Sequence, residues 1–298
     1  MRVYRDGFRR EEDDGYRSEL VPGLRASADA LRLAEEIDFA GERLEALAES
    51  PPGLYGKARE EGLGGDLEQA AWTCLLITYL CPLQDPQDPF AGIRLVLERE
   101  GGDWSSEQVP ELQGVPLGPL SSHESERGPA TLLAYRQWVR RHGSQEQAYA
   151  GDPLWTPERR FERIFERLTI PGLGRHGRFE LLVVMGRLGL FDLRADSLHL
   201  GLVPAAARPT AGSSGAGARE QQDLSLMAAK RVFGIGDTAN LERRANALAR
   251  AAEVPIEALE LALANWSLPE RATLGFPADA IPPTPGDALE RAGAALGL

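Results

Sequence analysis

Two aspartates and one glycine turn are where this chain sets reactive groups at telling positions. Asp223 stands directly before the apolar-periodic run that starts at Leu224, and Asp196 lies 25 residues beyond Pro171. An aspartate directly before an apolar-periodic run most commonly caps the helix that follows. The turn is Ile170, Pro171, Gly172, Leu173 and Gly174, followed at once by Arg175, His176 and Arg178. Glycine belongs where φ is positive or the backbone must approach another group closely, and this turn opens onto a helix N-terminus whose unpaired N–H groups favour an anion. Residues 170–174 therefore read as a backbone grip for a phosphate, with Arg175, His176 and Arg178 adding charge. The alternative is an ordinary connection between two helices.

Those groups need elements to hold them. Upstream of the turn, Phe161, Ile164, Phe165 and Leu168 recur at helical spacing, with Thr156 as N-cap and Pro157 at the first position. Downstream, Phe179, Leu182, Val183 and Leu188 mark a second helix, so the two form a hairpin over 157–188. Further helices are expected over about 27–48, with Leu31, Leu33, Ile37 and Leu44 apolar, over 66–80, apolar on nearly every side, and over 130–142. Three more are expected at 224–232, 241–252 and 256–266, and no convincing alternating strand is found, so the fold class is all-α. Residues 1–26 read as a charged N-terminal extension, 27–267 as one helical domain, and 268–298 as a Pro-rich tail. Within the domain, 101–128 reads as a surface connection and 204–222 as a mobile insertion.

The whole chain has a formal charge of −12, which excludes indiscriminate nucleic-acid binding. Yet residues 136–180 hold nine arginines against six acidic residues, a net +3 that leaves −15 on the remainder. A locally positive face, including Arg140 and Arg141 at the end of a helix, can contact a duplex in a salt-dependent way. Cys74 and Cys81 are too few for a disulfide framework or a four-cysteine cluster and belong in the core. With no apolar signal core and no membrane-length run, a cytoplasmic protein is expected, and its oligomeric state is left open.

The aliphatic-Pro-Gly-aliphatic-Gly pattern at 170–174 resembles the helix-hairpin-helix motif, and the chain from about 60 to 267 resembles a more specific group. The runs Gly65 to Trp72, Gly151 to Phe161 and Ala229 to Asp237 are similar to the bacterial and phage proteins called alpha-glutamyl/putrescinyl thymine pyrophosphorylase-like. That group is placed near the helix-hairpin-helix DNA glycosylases and linked to hypermodified bases, and related bacterial proteins excise glucosylated hydroxymethylcytosine from phage DNA. The resemblance implies a partner, double-stranded DNA with modified bases, and an extruded nucleotide whose sugar faces a carboxylate.

Either aspartate fits that role. Asp196, Ser197 and His199 resemble the short Asp-Thr-His segment of those enzymes, while Asp223 precedes a stretch resembling their aspartate-capped helix. Bifunctional members carry a lysine where this chain has His176, and Lys57 and Lys230 are the only lysines, so the resemblance implies a monofunctional enzyme that uses water. Glu68, Gln69, Trp72 and Trp155 are candidates to line a base pocket, each with a plainer reading as core or as an interhelical hydrogen bond. No cofactor or metal is expected beyond a monovalent cation at the hairpin. A non-catalytic DNA-binding module is the competing reading. Pyrophosphorolysis ranks last, since the chain shows neither a P-loop nor a clustered set of metal ligands.

Overall fold

The computed structural model describes residues 11–124, 129–201, 223–276 and 287–298. These form twelve α-helices and no strand among the described residues. In chain order they are α1 (Ser27–Glu49), α2 (Gly53–Leu63), α3 (Leu67–Leu80), α4 (Ala91–Leu97), α5 (Ala130–His142) and α6 (Gln145–Ala150). The hairpin helices α7 (Pro157–Arg167) and α8 (Arg175–Arg187) follow, then α9 (Leu224–Val232), α10 (Thr238–Ala251), α11 (Ile256–Trp266) and α12 (Asp287–Leu296). None of them is long and apolar enough to cross a membrane.

Two helices lack a polar face and organise the rest. Every residue of α3 from Ala70 to Leu80 is buried, as is every residue of α11. A helix apolar all round must sit inside a domain, and α3 is packed by α2, α4, α6 and α8, whereas α11 is packed by α1, α9 and α10. Helix α1 runs along α11 and α12 and also touches α8, so it spans both groups. Helix α8 leans on α3, α1 and α7, which puts the second arm of the hairpin in the middle of the molecule.

Several sequence expectations are corrected. A helix not expected from the sequence, α2, starts at Gly53 soon after the end of α1, and Leu31 lies on the exposed side of α1. The stretch from 101 to 124 lacks helix but is not a loose surface connection. Trp72 Nε1 donates to the Gly102 carbonyl at 2.7 Å, and Arg136 donates to the carbonyls of Asp103 (3.1 Å), Trp104 (3.0 Å) and Ser106. The same guanidinium lies 4.8 Å from the Trp72 ring centre and 4.6 Å from that of Trp104, so one cation on α5 organises the segment. Beyond residue 267, Leu274 and Phe276 are buried and α12 packs on α1 and α10, so the described part of the tail belongs to the body. The 204–222 insertion lies outside the described residues.

Candidate nucleic-acid interface and active site

The hairpin turn is anchored from beneath and open above. Ile170 and Leu173 are buried, the Leu173 N–H donates to the Ile170 carbonyl at 3.1 Å, and Pro171 is exposed between them. Gly172 has φ +84°, and a Cβ there would lie 2.1 Å from Thr131 Oγ1 at the start of α5, so conformation and space both demand glycine. Gly174 is different: as N-cap of α8 it has φ −65°, which any residue adopts.

The charged residues after the turn do not face outward as the sequence suggests. Arg175 and Arg178 are buried, which corrects their expected side-chain contact with a phosphate. At the first position of α8 the side chain points into the helix bundle. Arg178 donates to the Phe165 carbonyl at 3.0 Å, and its guanidinium carbon lies 4.4 Å from the Phe165 ring centre. What the turn offers an anion is backbone.

Arg175 instead ties four elements together. Its Nε donates to Asp223 Oδ2 and its Nη2 to Asp223 Oδ1 (2.8 Å), a two-pronged pair across from α8 to the head of α9. The same guanidinium reaches Glu260 on α11 at 2.7 and 2.9 Å and the Leu198 carbonyl at 2.8 Å. Asp223 also caps α9, accepting from the Leu226 N–H at 3.0 Å, and its side chain stays 20% exposed. One carboxylate thus both caps α9 and pairs with Arg175.

Glu260 is the hub that sequence reading missed. Its side chain is 1% exposed, yet Oε1 receives Arg175, Ser225 Oγ at 2.8 Å and His176 Nδ1 at 2.9 Å. Burial alone would raise its pKa, but the Arg175 charge and the His176 hydrogen bond outweigh it and hold the carboxyl at about 2. His176 moves oppositely. Burial would lower its pKa, whereas the hydrogen bond and charge of Glu260, helped by Glu180, raise it above the usual 6.5. A signal existed in the sequence: Glu257 and Glu260 interrupt a helix that otherwise has no polar face, and a buried carboxylate requires partners.

His176 also borders a small cavity. Its other lining residues are Tyr55, Ile77, Thr78, Cys81, Pro82, Leu120, Glu180 and Leu274, and it holds about 10 Å³, room for a single water. Glu180 is held by Arg43 of α1, both buried, and the Tyr55 hydroxyl donates to the Leu274 carbonyl at 3.2 Å. A wider groove of about 340 Å³ between Pro157, Arg187, Arg194 and Glu257 shares no lining residue with this cavity.

The remaining candidates scatter. Asp196 is exposed, and its charge acts on His199, whose pKa burial depresses to about 4. His199 has φ +53° and stacks on Phe165 at 4.6 Å. Glu68 accepts from the backbone N–H groups of Gln145 (3.2 Å) and Glu146 (3.0 Å), and Gln69 accepts from Trp104 N at 2.9 Å. Trp72 is fully buried, and all three make hydrogen bonds that hold the frame. Trp155 is half-buried beneath the Arg167 guanidinium, 5.2 Å away. Arg140 and Arg141 are exposed at the end of α5, and Trp138 Nε1 donates to the Arg167 carbonyl at 3.0 Å, which brings that end beside α7. Among the described residues no group of three or more His, Cys, Asp and Glu is arranged to hold a metal.

A family model described as alpha-glutamyl/putrescinyl thymine pyrophosphorylase clade 3 matches residues 120–274, just over half of the 298-residue chain. The chain belongs to this family. The clade 3 segment contains Arg175, His176, Glu180, Asp223, Ser225 and Glu260, and its matched ends, Leu120 and Leu274, both line the cavity. The Gly65 to Trp72 run lies before it, as do Tyr55, Ile77, Thr78 and Cys81 on the opposite cavity wall. No curated protein and no solved structure matches the chain.

Proposed function

We propose that this protein is a monofunctional DNA glycosylase that excises a bulky modified pyrimidine, such as glucosylated hydroxymethylcytosine or a hypermodified thymine, from phage-type DNA. The observation that carries this reading is Asp223: a partly exposed carboxylate, locked by the first residue of the hairpin helix, in a network whose His176 borders a cavity. Breaking an N-glycosidic bond develops positive charge on the sugar, which an ionised carboxylate at that place stabilises while water adds. The hairpin turn supplies backbone for the strand, and Arg140, Arg141 and Arg167 supply exposed positive charge beside it. The family's name, referring to a modified thymine, supports the substrate class. Release of such bases would serve defence against phages whose DNA carries them.

The test incubates the protein with DNA containing glucosylated hydroxymethylcytosine, DNA containing hypermodified thymine and unmodified DNA, then measures free base by mass spectrometry and abasic sites by alkaline cleavage. Release from modified DNA that is lost in Asp223→Asn and kept in Asp196→Asn is expected. A covalent adduct trapped by borohydride would contradict the monofunctional mechanism. The assay is run with and without pyrophosphate, because turnover that depends on it would replace hydrolysis with the chemistry of the family's name. Binding with no release from any substrate would leave a non-catalytic DNA-binding module.

A further inference from the structure

His176 and Glu260 form a hydrogen-bonded dyad at the cavity that the carboxylate mechanism does not use. Glu260, buried and ionised, can only accept, so the 2.9 Å contact fixes the proton of His176 on Nδ1. Among the described residues no protein group bonds Nε2, and the ring lines the cavity while Nδ1 is turned toward α11. The neutral ring therefore carries its lone pair on Nε2, and the protonated ring carries a proton there. Glu260 stands behind it as an orienting group, as a carboxylate does behind an imidazole in other acid–base pairs.

Charge is arranged with a direction. His176 faces Glu260 from α11 and Glu180 from its own helix, with Arg175 beside it; Arg43 from α1 neutralises Glu180, and the polar lining groups from α2, α3 and the C-cap of α3 are the uncharged Tyr55, Thr78 and Cys81. Tyr55 and Cys81 are held neutral by burial, so His176 is the cavity's proton donor. Asp223 is joined to the adjoining edge of the Arg175 guanidinium, through Nε and Nη2, and is not among the residues that line the cavity. The cation thus borders the cavity and the carboxylate lies beyond it, the separation needed when a base departs with negative charge and a sugar is left positive.

We propose that His176 is a catalytic general acid that protonates the departing base from Nε2, with Glu260 as its positioning residue. This rests on the glycosylase reading. As the C1′–N bond breaks, its electron pair goes to the base and the Nε2 proton neutralises that base. Water then bonds to C1′ and releases a proton, which returns Nε2 to its starting state. The step needs no lysine, consistent with a histidine at the position where bifunctional relatives of the resemblance carry one.

The experiment measures single-turnover base release from pH 5 to 9 on DNA containing glucosylated hydroxymethylcytosine and on DNA containing hypermodified thymine, for the wild type, His176→Asn, His176→Gln and Glu260→Gln. The wild-type rate should fall as pH rises through the His176 pKa. Both His176 variants should lose about 10²- to 10⁴-fold at the optimum and lose that alkaline limb. In Glu260→Gln the limb should shift to lower pH, matching a lowered His176 pKa and an altered ring tautomer read by NMR of the imidazole nitrogens. Thermal melts of each variant identify any that fail to fold, and the NMR titration of wild-type His176 stands without them: an Nε2–H neutral tautomer would overturn the dyad. Release by His176→Asn or His176→Gln with the wild-type pH profile would overturn the acid role alone. No release by the wild type from either DNA would overturn the glycosylase reading, and the acid role with it.

Discussion

Arg175 shows how a residue can be read correctly for its charge and wrongly for its direction. From the sequence it belongs to a cluster after a phosphate-gripping turn; in the structure the first helical position turns inward and finds Asp223 and Glu260. Nothing local distinguishes the two outcomes, because the deciding partners come from α9 and α11, which are 48 and 85 residues away in the chain. Arg175→Ala strands two carboxylates, one of them buried, and should destabilise the fold by about 3–5 kcal/mol in urea unfolding. The Glu260 contribution has a defined window. Its folded pKa of about 2 lies below the ordinary 4.5, so the stabilisation is complete above 4.5 and is lost as pH falls toward 2. His199 adds acid sensitivity at milder pH: burial holds it at about 4, so the unfolded chain takes up a proton first, and stability drops between 6.5 and 4. His199→Asn, which tolerates the left-handed backbone, should flatten that part of a stability-versus-pH curve while lowering stability at neutral pH through lost stacking. His176 has the opposite sign. Its raised pKa stabilises below 6.5, and the effect fades as pH climbs through the folded value.

At the scale of elements, the helices carrying a strong apolar stripe or none of the usual polar face were legible, because periodicity and caps are local. Thr156 and Pro157 start α7 as their types dictate, and α3 and α11 sit inside as the lack of a continuous polar face requires. The helices missed were α2, α4, α6 and α12. Helix α2 begins at a glycine after two prolines, and α4 and α6 span only seven and six residues, too short for a period to declare itself. The turn between α7 and α8 tests how firmly an element can be fixed by one residue. Gly172→Ala meets both a positive φ and the Thr131 hydroxyl, and should cost about 1–3 kcal/mol in chemical denaturation. Thr131 Oγ1 is buried without a hydrogen-bond partner. Adding Thr131→Ala should therefore recover the steric part of the loss and leave the part due to φ.

For the whole molecule, an acidic body with exposed arginines at the ends of α5 and α7 predicts DNA binding that is weak at high salt and local to one face. Arg140→Ala and Arg141→Ala should each reduce the slope of log K against log salt by about 0.9 if they meet phosphates, measured by fluorescence anisotropy on a duplex. Neutralising Arg175 is no substitute for that test, since its effect would pass through stability. The charge asymmetry was visible in the sequence, whereas the site's far wall was not: Tyr55, Ile77, Thr78 and Cys81 come from helices whose relation to the hairpin exists only in three dimensions. One consequence follows from the size of the space they enclose. A chamber that holds one water cannot hold a nucleobase, so the proposed glycosylase reading requires an expanded form of the protein when a base is bound. The measured affinity then equals the intrinsic affinity scaled by the fraction of molecules expanded at that moment. Trimming Ile77 to alanine would enlarge that fraction, and the protein would gain grip on its target while losing some of its reluctance toward ordinary bases.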